Sequence, residues 1–115
     1  MNICINGSRT FKDYNKLEEE LNKLIPNKDN IQFILGGAIG ADSLAEQYAI
    51  KHNIPYKLFK PDWNLYGKKA GILRNIDMIN VSNKLISFWD GQSKGTKQTI
   101  EYAQSKLIEV VIIRV

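Results

Sequence analysis

Cysteine and histidine are nearly absent from this 115-residue chain, which contains one of each. A single cysteine rules out an internal disulfide framework and agrees with a reducing compartment, so we expect a cytoplasmic protein. With one histidine and no cysteine cluster, the sequence has no metal-ligand spacing, and it has no Ser–His–Asp set. Because Cys4 lies between Ile3 and Ile5 in a strand-like segment, we expect its thiol to pack in the core.

Long apolar runs are lacking as well. No segment approaches the ~20 apolar residues that cross a bilayer, and the first residues carry neither a basic region nor a signal-peptide core. We therefore expect no membrane partner. The net charge of +4 permits anionic ligands but is too small to indicate a nucleic acid by itself. At this length and with 43% hydrophobic residues, we expect one domain over residues 1–115.

Apolar segments of strand length alternate with amphipathic segments of helical period along the whole chain. The predicted strands cover residues 2–6, 31–35, 54–59, 84–89 and 108–114, and the predicted helices cover residues 12–25, 41–52, 70–80 and 96–107. Residues 61–69 form the longest irregular segment. Apolar strands separated by helices indicate a parallel sheet covered on both faces. The predicted fold is therefore α/β, a single Rossmann-like doubly wound domain with strand order 3-2-1-4-5.

Three polar turns that contain glycine follow predicted strands, at residues 6–9, 36–42 and 90–96. In a doubly wound sheet, ligands bind outside the carboxyl ends of the strands, near the switch point between strands 1 and 4. A helix N-terminus at that edge presents backbone N–H groups and the positive end of its dipole, which suits a phosphate. The three turns therefore predict one site that binds an anion.

The second turn offers two interpretations. Its glycines, Gly36, Gly37 and Gly40, either permit a tight turn and close packing or, with Ala38, present N–H groups to a phosphate. We favour the phosphate. Asp42 either caps the following helix or contacts a ribose or base.

The third turn is richer in polar groups than a plain turn requires, since two hydroxyls and a lysine accompany its glycines. This composition at a predicted helix start favours phosphate binding. Its predicted ligand-binding residues are Asp90, Gly91, Ser93, Lys94, Gly95 and Thr96.

Arginines and an aromatic loop complete the predicted site. Arg9, which follows Gly7 and Ser8 in the first turn, is expected to clamp an anion through a bidentate guanidinium. Lysines 68 and 69 are more readily explained as solvated, although Lys68 is kept as a candidate. Trp63 and Tyr66 form either a lid or stacking platform for a base or a plug that holds their loop down. We expect Arg74 to point from its helix toward the cleft, beside Asn75.

Several segments stand in an order that resembles the YspA-like branch of the SLOG superfamily, the Rossmann-like group that includes DprA and the LOG phosphoribohydrolases. The resemblance runs from about residue 3 to residue 113 and implies a domain that binds nucleotides or nucleotide derivatives and requires no cofactor. It also matches Arg74 and Asn75 to the family's arginine-containing helix. The segments that carry it are Gly7-Ser-Arg9, Gly36-Gly-Ala-Ile-Gly-Ala-Asp42 with Leu44-Ala-Glu46, Asp62-Trp63, Gly67-Lys-Lys-Ala-Gly71 with Arg74-Asn75, and Phe88-Trp-Asp-Gly-Gln-Ser-Lys-Gly-Thr96.

A LOG-like nucleoside-monophosphate phosphoribohydrolase is one alternative. Those enzymes carry Pro-Gly-Gly-x-Gly-Thr-x-x-Glu, whereas this chain has Thr99 at the position of the catalytic glutamate. Threonine lacks the carboxylate that the reaction needs, and Glu101 lies ~200° round the helix from that position. Asp90 could serve as a base, so the hydrolase interpretation is weakened without being eliminated, and we name no catalytic residue.

DprA-like binding of single-stranded DNA is the second alternative. It would require a broad basic face with stacking aromatics, whereas six basic residues near the ligand edge suit a small anion better. A nucleic acid is therefore the less favoured partner, and a nucleotide or nucleotide-derived small ligand, bound as by a sensor or carrier, is the expected one. Self-association stays open, because the helix at residues 70–80 has apolar surface to contribute. The six basic residues are Arg9, Lys68, Lys69, Arg74, Lys94 and Lys97.

Overall fold

A computed structural model describes all residues, 1–115, and contains one five-stranded parallel sheet. The strand order is β3-β2-β1-β4-β5, which confirms the predicted order and the α/β fold class. The strands are β1 (Asn2–Gly7), β2 (Gln32–Leu35), β3 (Tyr56–Leu58), β4 (Lys84–Trp89) and β5 (Glu109–Arg114). The helices are α1 (Tyr14–Leu24), α2 (Ala41–Lys51), α3 (Trp63–Tyr66), α4 (Ala70–Asn80) and α5 (Lys94–Ser105), with a turn of 3-10 helix at Gly67–Lys69.

The alternation of side chains along β1 builds a separate core on each face of the sheet. Ile3 and Ile5 belong to a large apolar cluster with α1 and α2, whereas Cys4 belongs to a smaller cluster with α4 and α5. Cys4 is fully buried, so its predicted place in the core is confirmed. The longest helix, α5, has 12 residues, and no helix is long and apolar enough to cross a membrane.

Two helix boundaries differ from the sequence prediction near the carboxyl edge of the sheet. Helix α5 begins at Lys94 rather than at residue 96, so Gly95 and Thr96 lie in its first turn and not in the preceding loop. Residues 61–69, predicted as irregular, contain the one-turn helix α3, whose N-cap Asp62 accepts a 3.0 Å hydrogen bond from the N–H of Leu65. A single turn is too short to show a helical period in a sequence.

Candidate functional site

Ser8 ties the three predicted turns together. It is 1% exposed, and its N–H donates to the carbonyl oxygen of Phe88 at 2.9 Å. Its own carbonyl oxygen accepts from the N–H of Ala41 at the start of α2, and its hydroxyl accepts from the N–H of Asp90 at 3.0 Å. The end of β1, the turn after β4 and the start of α2 are therefore held against one another, as expected for turns that share one site.

A polar cleft opens at this edge of the sheet. The cleft, called here the inner cleft, has a volume of about 210 Å³. A second cavity of about 430 Å³, called here the recess, adjoins it through Arg9, Ala38 and Arg74, which border both. The other residues of the inner cleft are Asn6, Gly7, Asp42, Asn75, Met78, Ser93, Gly95 and Thr96, and those of the recess are Gly36, Gly37, Ile39, Pro61 and Trp63.

The N-terminus of α5 is an uncapped helix end at the inner cleft. Ser93 is the N-cap residue, but its side chain accepts no hydrogen bond from the helix. Its hydroxyl contacts Asp90 Oδ2 and Ser8 Oγ instead, each at 3.2 Å. The N–H groups of the first turn, including those of Gly95 and Thr96, therefore have no capping side chain. Together with the positive end of the helix dipole, they suit a bound anion.

Gly95 leaves open space at this helix end. A Cβ added at Gly95 would meet no atom within 4 Å, and its φ is not positive, so the fold does not require glycine there. By contrast, a Cβ at Gly7 would collide with the carbonyl oxygen of Phe88 and lie 2.7 Å from the Cβ of Ala41. Gly7 is thus needed for strand packing, whereas Gly95 admits close approach of a ligand to the backbone.

Asp90 stabilises the turn after β4 through hydrogen bonds within the turn. Its Oδ1 accepts from the N–H groups of Gln92 and Ser93, both at 2.8 Å. These bonds, that of Ser93 first, hold the pKa of the Asp90 carboxyl below its ordinary value. Gly91 follows at φ +83°, where a Cβ would collide with the guanidinium of Arg114. Neither Asp90 nor Gly91 lines the inner cleft or the recess.

Close packing explains much of the glycine content of the second turn. Gly40 adopts φ +84°, and a Cβ there would lie 2.5 Å from the carbonyl oxygen of Ser8. A Cβ on Gly36 would lie 2.8 Å from Asp42 Oδ2 and 2.9 Å from Arg74 Nη1. Gly36 and Gly37 also border the recess, whereas Gly40 lines neither cavity.

Asp42 is a buried carboxyl in a cleft otherwise lined by cations and neutral groups. The N-cap of α2 is Gly40, so the interpretation of Asp42 as the cap is wrong. Asp42 is 6% exposed, and its Oδ2 accepts from the N–H of Ala38 at 3.3 Å. Burial raises the pKa of Asp42 to about 6, although the Ala38 N–H and the Arg74 guanidinium act in the opposite direction.

The two arginines of the cleft differ in how firmly they are held. Arg74 donates from Nη1 to the carbonyl oxygen of Gly36 at 2.6 Å and from Nε to Asn75 Oδ1 at 2.8 Å. Its Nη2 makes no hydrogen bond within the protein, and burial lowers the pKa of the guanidinium. Arg9 is exposed and borders both cavities. One arginine is thus fixed in the wall, and the other is free to close on a ligand.

Asn6 lines the inner cleft; it belongs to the first predicted turn but is not among the predicted ligand-binding residues. It is 7% exposed, and its Oδ1 is buried with no hydrogen-bond partner. The available signal was a polar residue at the end of the central strand, directly before Gly7, where buried polar groups are rare unless paired. Met78 of the inner cleft and Ile39 and Pro61 of the recess are also absent from the predicted ligand-binding residues, although Ile39 belongs to the second predicted turn.

Several predicted residues lie outside both cavities. Lys68 and Lys94 are exposed and border neither, as is the case for Lys69 and Lys97. Four other predicted residues also line neither cavity and instead hold the surrounding turns in place through the contacts described above: Ser8, Gly40, Asp90 and Gly91. The cationic surface in the cleft is therefore supplied by arginine alone.

Trp63 borders the recess from α3. Its side chain is 55% exposed, and a Cβ on Gly71 would lie 3.6 Å from its Cη2, so the ring edge approaches α4. Tyr66 is 49% exposed. Exposure of this extent disfavours the interpretation of both rings as a plug beneath the loop, and about half of the Trp63 side chain stays accessible beside the recess.

Thr99 faces away from the inner cleft. It is 3% exposed, its Oγ1 donates to the carbonyl oxygen of Gly95 at 3.0 Å, and it lines a separate groove with Ile72 and Ile76. Glu101 is exposed. Asp42 is thus the one carboxyl group that lines the inner cleft. No group of three or more His, Cys, Asp and Glu side chains in the structure is arranged to hold a metal ion.

Structural comparison finds the same fold in two solved proteins. DNA processing protein A (DprA) from Streptococcus pneumoniae matches 99% of this chain with a TM-score of 0.78 and 16% identity. DprA from Helicobacter pylori matches 97% with a TM-score of 0.75 and 20% identity. The chain spans 50% and 64% of those two proteins, respectively, so the likeness concerns the fold of one part of each.

Sequence comparison identifies the family. The Gene 61 protein of Mycobacterium phage D29 is 34% identical over 119 residues, which cover 95% of this chain and 93% of the phage protein. The model of the YspA, cpYpsA-related SLOG family matches residues 1–66, which include β1, β2 and the two turns that follow them. The chain therefore belongs to the YspA, cpYpsA-related SLOG family.

Proposed function

We propose that this protein binds a nucleotide or nucleotide-derived small ligand at the inner cleft and the recess, and acts as a sensor or carrier of that ligand. The observation that carries the proposal is the uncapped N-terminus of α5, which opens into a polar cleft at the switch point of a doubly wound sheet. The single buried thiol of Cys4 fits a reducing compartment, and the cytoplasm is the proposed location.

The phosphate of the ligand would bind at the first turn of α5. Gly95 and Thr96 offer uncapped N–H groups, Gly95 leaves room for close approach, and Thr96 adds a hydroxyl. Arg9 can reach the same anion as a charge-assisted donor, because it borders the inner cleft and has no ion-pair partner in the protein.

The base of the ligand would occupy the recess. The inner cleft, at about 210 Å³, is smaller than the roughly 300–1,000 Å³ of a typical small-molecule pocket. A ligand of nucleotide size must therefore extend into a second space, and the recess of about 430 Å³ adjoins the cleft. Its glycine-rich wall and the exposed indole of Trp63 favour a flat aromatic group, since base–aromatic stacking contributes ~1–3 kcal/mol per base.

Binding without hydrolysis is supported by the two residues that the comparison with the LOG signature brings forward, Thr99 and Asp90. Thr99 takes the glutamate position of the LOG signature and bonds to its own helix. Asp90 uses its carboxylate oxygens on the N–H groups and hydroxyl of its own turn. A carboxylate with a lowered pKa and internal partners is a poor general base.

Single-stranded DNA is the second candidate ligand, and the fold likeness to DprA favours it. The H. pylori protein has a described single-stranded DNA binding mode, and 64% of its length corresponds to this chain. Against this candidate, Lys68, Lys69, Lys94 and Lys97 lie outside the cavities. A strand of several nucleotides would have to bind across them with strong dependence on salt.

Calorimetric titration tests the proposal. The protein is titrated with nucleoside mono-, di- and triphosphates, cyclic nucleotides, and an oligo(dT) of twenty nucleotides, at low and at physiological salt. We expect saturable binding of at least one small nucleotide, accompanied by a rise in Tm. Binding of the oligonucleotide alone would replace the proposal with the DNA candidate, and no binding of any nucleotide at millimolar concentration would overturn both.

A further inference from the structure

We propose that Asp42 and Asn6 bind the ribose hydroxyls of the ligand, so that the inner cleft selects ribonucleotides over 2′-deoxyribonucleotides. This inference rests on the proposed nucleotide function and names the ligand class more closely. The inner cleft suits a phosphate, yet the buried carboxyl group of Asp42 also lines it.

Asp42 and a phosphate are poor neighbours, since both are acceptors that carry negative charge. The Asp42 carboxyl receives the N–H of Ala38 at 3.3 Å and is 6% exposed. The carboxyl group also lines the inner cleft, where a donor of the ligand can reach it. A hydroxyl group is the donor that a nucleotide carries next to its phosphate.

Asn6 requires a partner of the same kind. Its side chain is more than nine-tenths buried, lines the inner cleft and leaves Oδ1 without a hydrogen bond. An amide group offers a donor and an acceptor on one rotatable plane, so it can pair with a hydroxyl in either orientation. Buried polar groups of native proteins are nearly always paired. A ligand hydroxyl would supply the missing partner.

The walls of the inner cleft are arranged for such a ligand. Asn6 is the penultimate residue of β1 and Asp42 lies in the first turn of α2, whereas Gly95 and Thr96 come from the start of α5. The phosphate site and the two acceptors thus come from different elements around one small cavity. Ala38 and Arg9 lead from this cavity to the recess. The sugar of a nucleotide likewise lies between its phosphate and its base.

The test compares matched pairs of ligands that differ only in the 2′-hydroxyl. Adenosine, guanosine, cytidine and uridine 5′-monophosphates and 5′-diphosphates, and their 2′-deoxy forms, are titrated calorimetrically against the wild-type protein. For the base that binds best, we expect the ribonucleotide to bind at least about tenfold more tightly, because the deoxy form leaves a buried polar group unpaired.

Three variants assign the preference to its residues. In Asp42→Asn and in Asn6→Ala, we expect the ratio of the two Kd values to fall below about threefold, since each variant removes or weakens one contact to the sugar. Thr96→Val is the control: it weakens the phosphate contact that both ligands share, so both affinities fall and their ratio is kept. Circular dichroism of each variant checks that the fold is retained.

The outcomes separate this inference from the function on which it rests. Equal affinity of the ribo and deoxy forms for the wild-type protein overturns the ribose subsite and leaves nucleotide binding intact. A ribose preference that survives in Asp42→Asn and Asn6→Ala overturns the assignment to these residues. Failure of every nucleotide to bind overturns the proposed function itself, and the subsite with it.

Discussion

Arg74 donates a 2.6 Å hydrogen bond from Nη1 to the main-chain carbonyl oxygen of Gly36, and so ties helix α4 to the turn that follows β2. The same nitrogen lies 3.4 Å from the carbonyl oxygen of Phe59, just after β3. Arg74, which borders the inner cleft, therefore also links helix α4 to the segments that follow β2 and β3. Its removal should affect stability and binding together.

Replacement of Arg74 by alanine should lower the free energy of unfolding by about 1–3 kcal/mol, because the carbonyl groups of Gly36 and Phe59 lose a charged donor. Nucleotide affinity should fall as well. Arg9→Ala is the matched control, since Arg9 borders the same cavities and is exposed. It should weaken binding and change stability by less than about 0.5 kcal/mol. Urea unfolding measures stability and calorimetry measures affinity. Equal stability of the two variants would contradict the structural role of the Arg74 hydrogen bonds.

Thr96→Val should weaken nucleotide binding about tenfold, which corresponds to the loss of one hydrogen bond to a charged group. The substitution nearly preserves shape, so the fold should be kept. Thr99→Val is the control on the same helix. Thr99 bonds to Gly95 and lines the apolar groove with Ile72, so its loss should leave affinity unchanged. Equal effects of the two substitutions on Kd would show that the ligand does not bind at this turn.

Gly95→Ala should separate stability from binding. No atom lies within 4 Å of the added Cβ, so the Tm should be maintained or raised slightly, since alanine favours a helix over glycine. The methyl group should reduce affinity by occupying the space next to the N–H groups of the first turn. In contrast, Gly91→Ala should lower the Tm, because φ is +83°, a conformation that residues other than glycine rarely adopt. Unchanged affinity in Gly95→Ala would argue against close approach of the ligand.

Trp63→Ala should weaken binding by roughly 1–3 kcal/mol if a base stacks in the recess. The Tm should change little, because the indole is 55% exposed. Leu65→Ala is a suitable control, since Leu65 lies on the same short helix, is 67% exposed and borders neither cavity. A loss of stability in Trp63→Ala, with affinity unchanged, would restore the plug interpretation of this ring.

The ionisation of Asp42 should reduce the stability of the wild-type protein as the pH rises from about 4 to about 6, relative to a variant that cannot ionise at this position. Burial raises the pKa of Asp42 from 3.8 to about 6, so in this range the folded protein holds a proton that the unfolded chain has released. Two pKa units correspond to roughly 3 kcal/mol. Asp42→Asn cannot ionise and should lack this contribution.

Urea unfolding of both proteins across this pH range isolates the effect from other titrating groups. The free energy of unfolding of Asp42→Asn should gain on that of the wild type as the pH rises, and the difference should level off above about pH 6. A difference that stays constant from pH 4 to pH 7 would show that Asp42 is not held in the protonated form.

The strand order and the common location of the turns could be predicted because both depend on the pattern of apolar residues. Cys4, Ile34 and Leu85 lie side by side in β1, β2 and β4, each within an apolar strand segment of the sequence. The predicted turns then had to meet at one edge. Asn6, the penultimate residue of β1, lies at that edge for the same reason, and it belongs to the first predicted turn although not to the predicted ligand-binding residues.

Which of the predicted residues line the cavities and which only hold the turns could not be predicted, because this depends on distances between remote parts of the chain. Asp90 and Thr96 stand in one polar turn of the sequence, yet Asp90 bonds within the turn and Thr96 lines the cleft. Gly91 and Gly95 look alike in the sequence, yet only Gly91 has a neighbour where its Cβ would be. Nothing in the composition indicates that Arg9 and Arg74 line the cavities while the four lysines of the predicted basic group lie outside them.

The burial of Cys4 makes the chain convenient for site-specific labelling. The thiol is fully enclosed, and burial raises its pKa, so the reactive thiolate does not form under ordinary labelling conditions. A cysteine introduced at Ile39, which is 70% exposed at the mouth of the recess, would then be the one thiol accessible to a maleimide dye. A fluorophore attached there would report ligand entry without removal of the native cysteine.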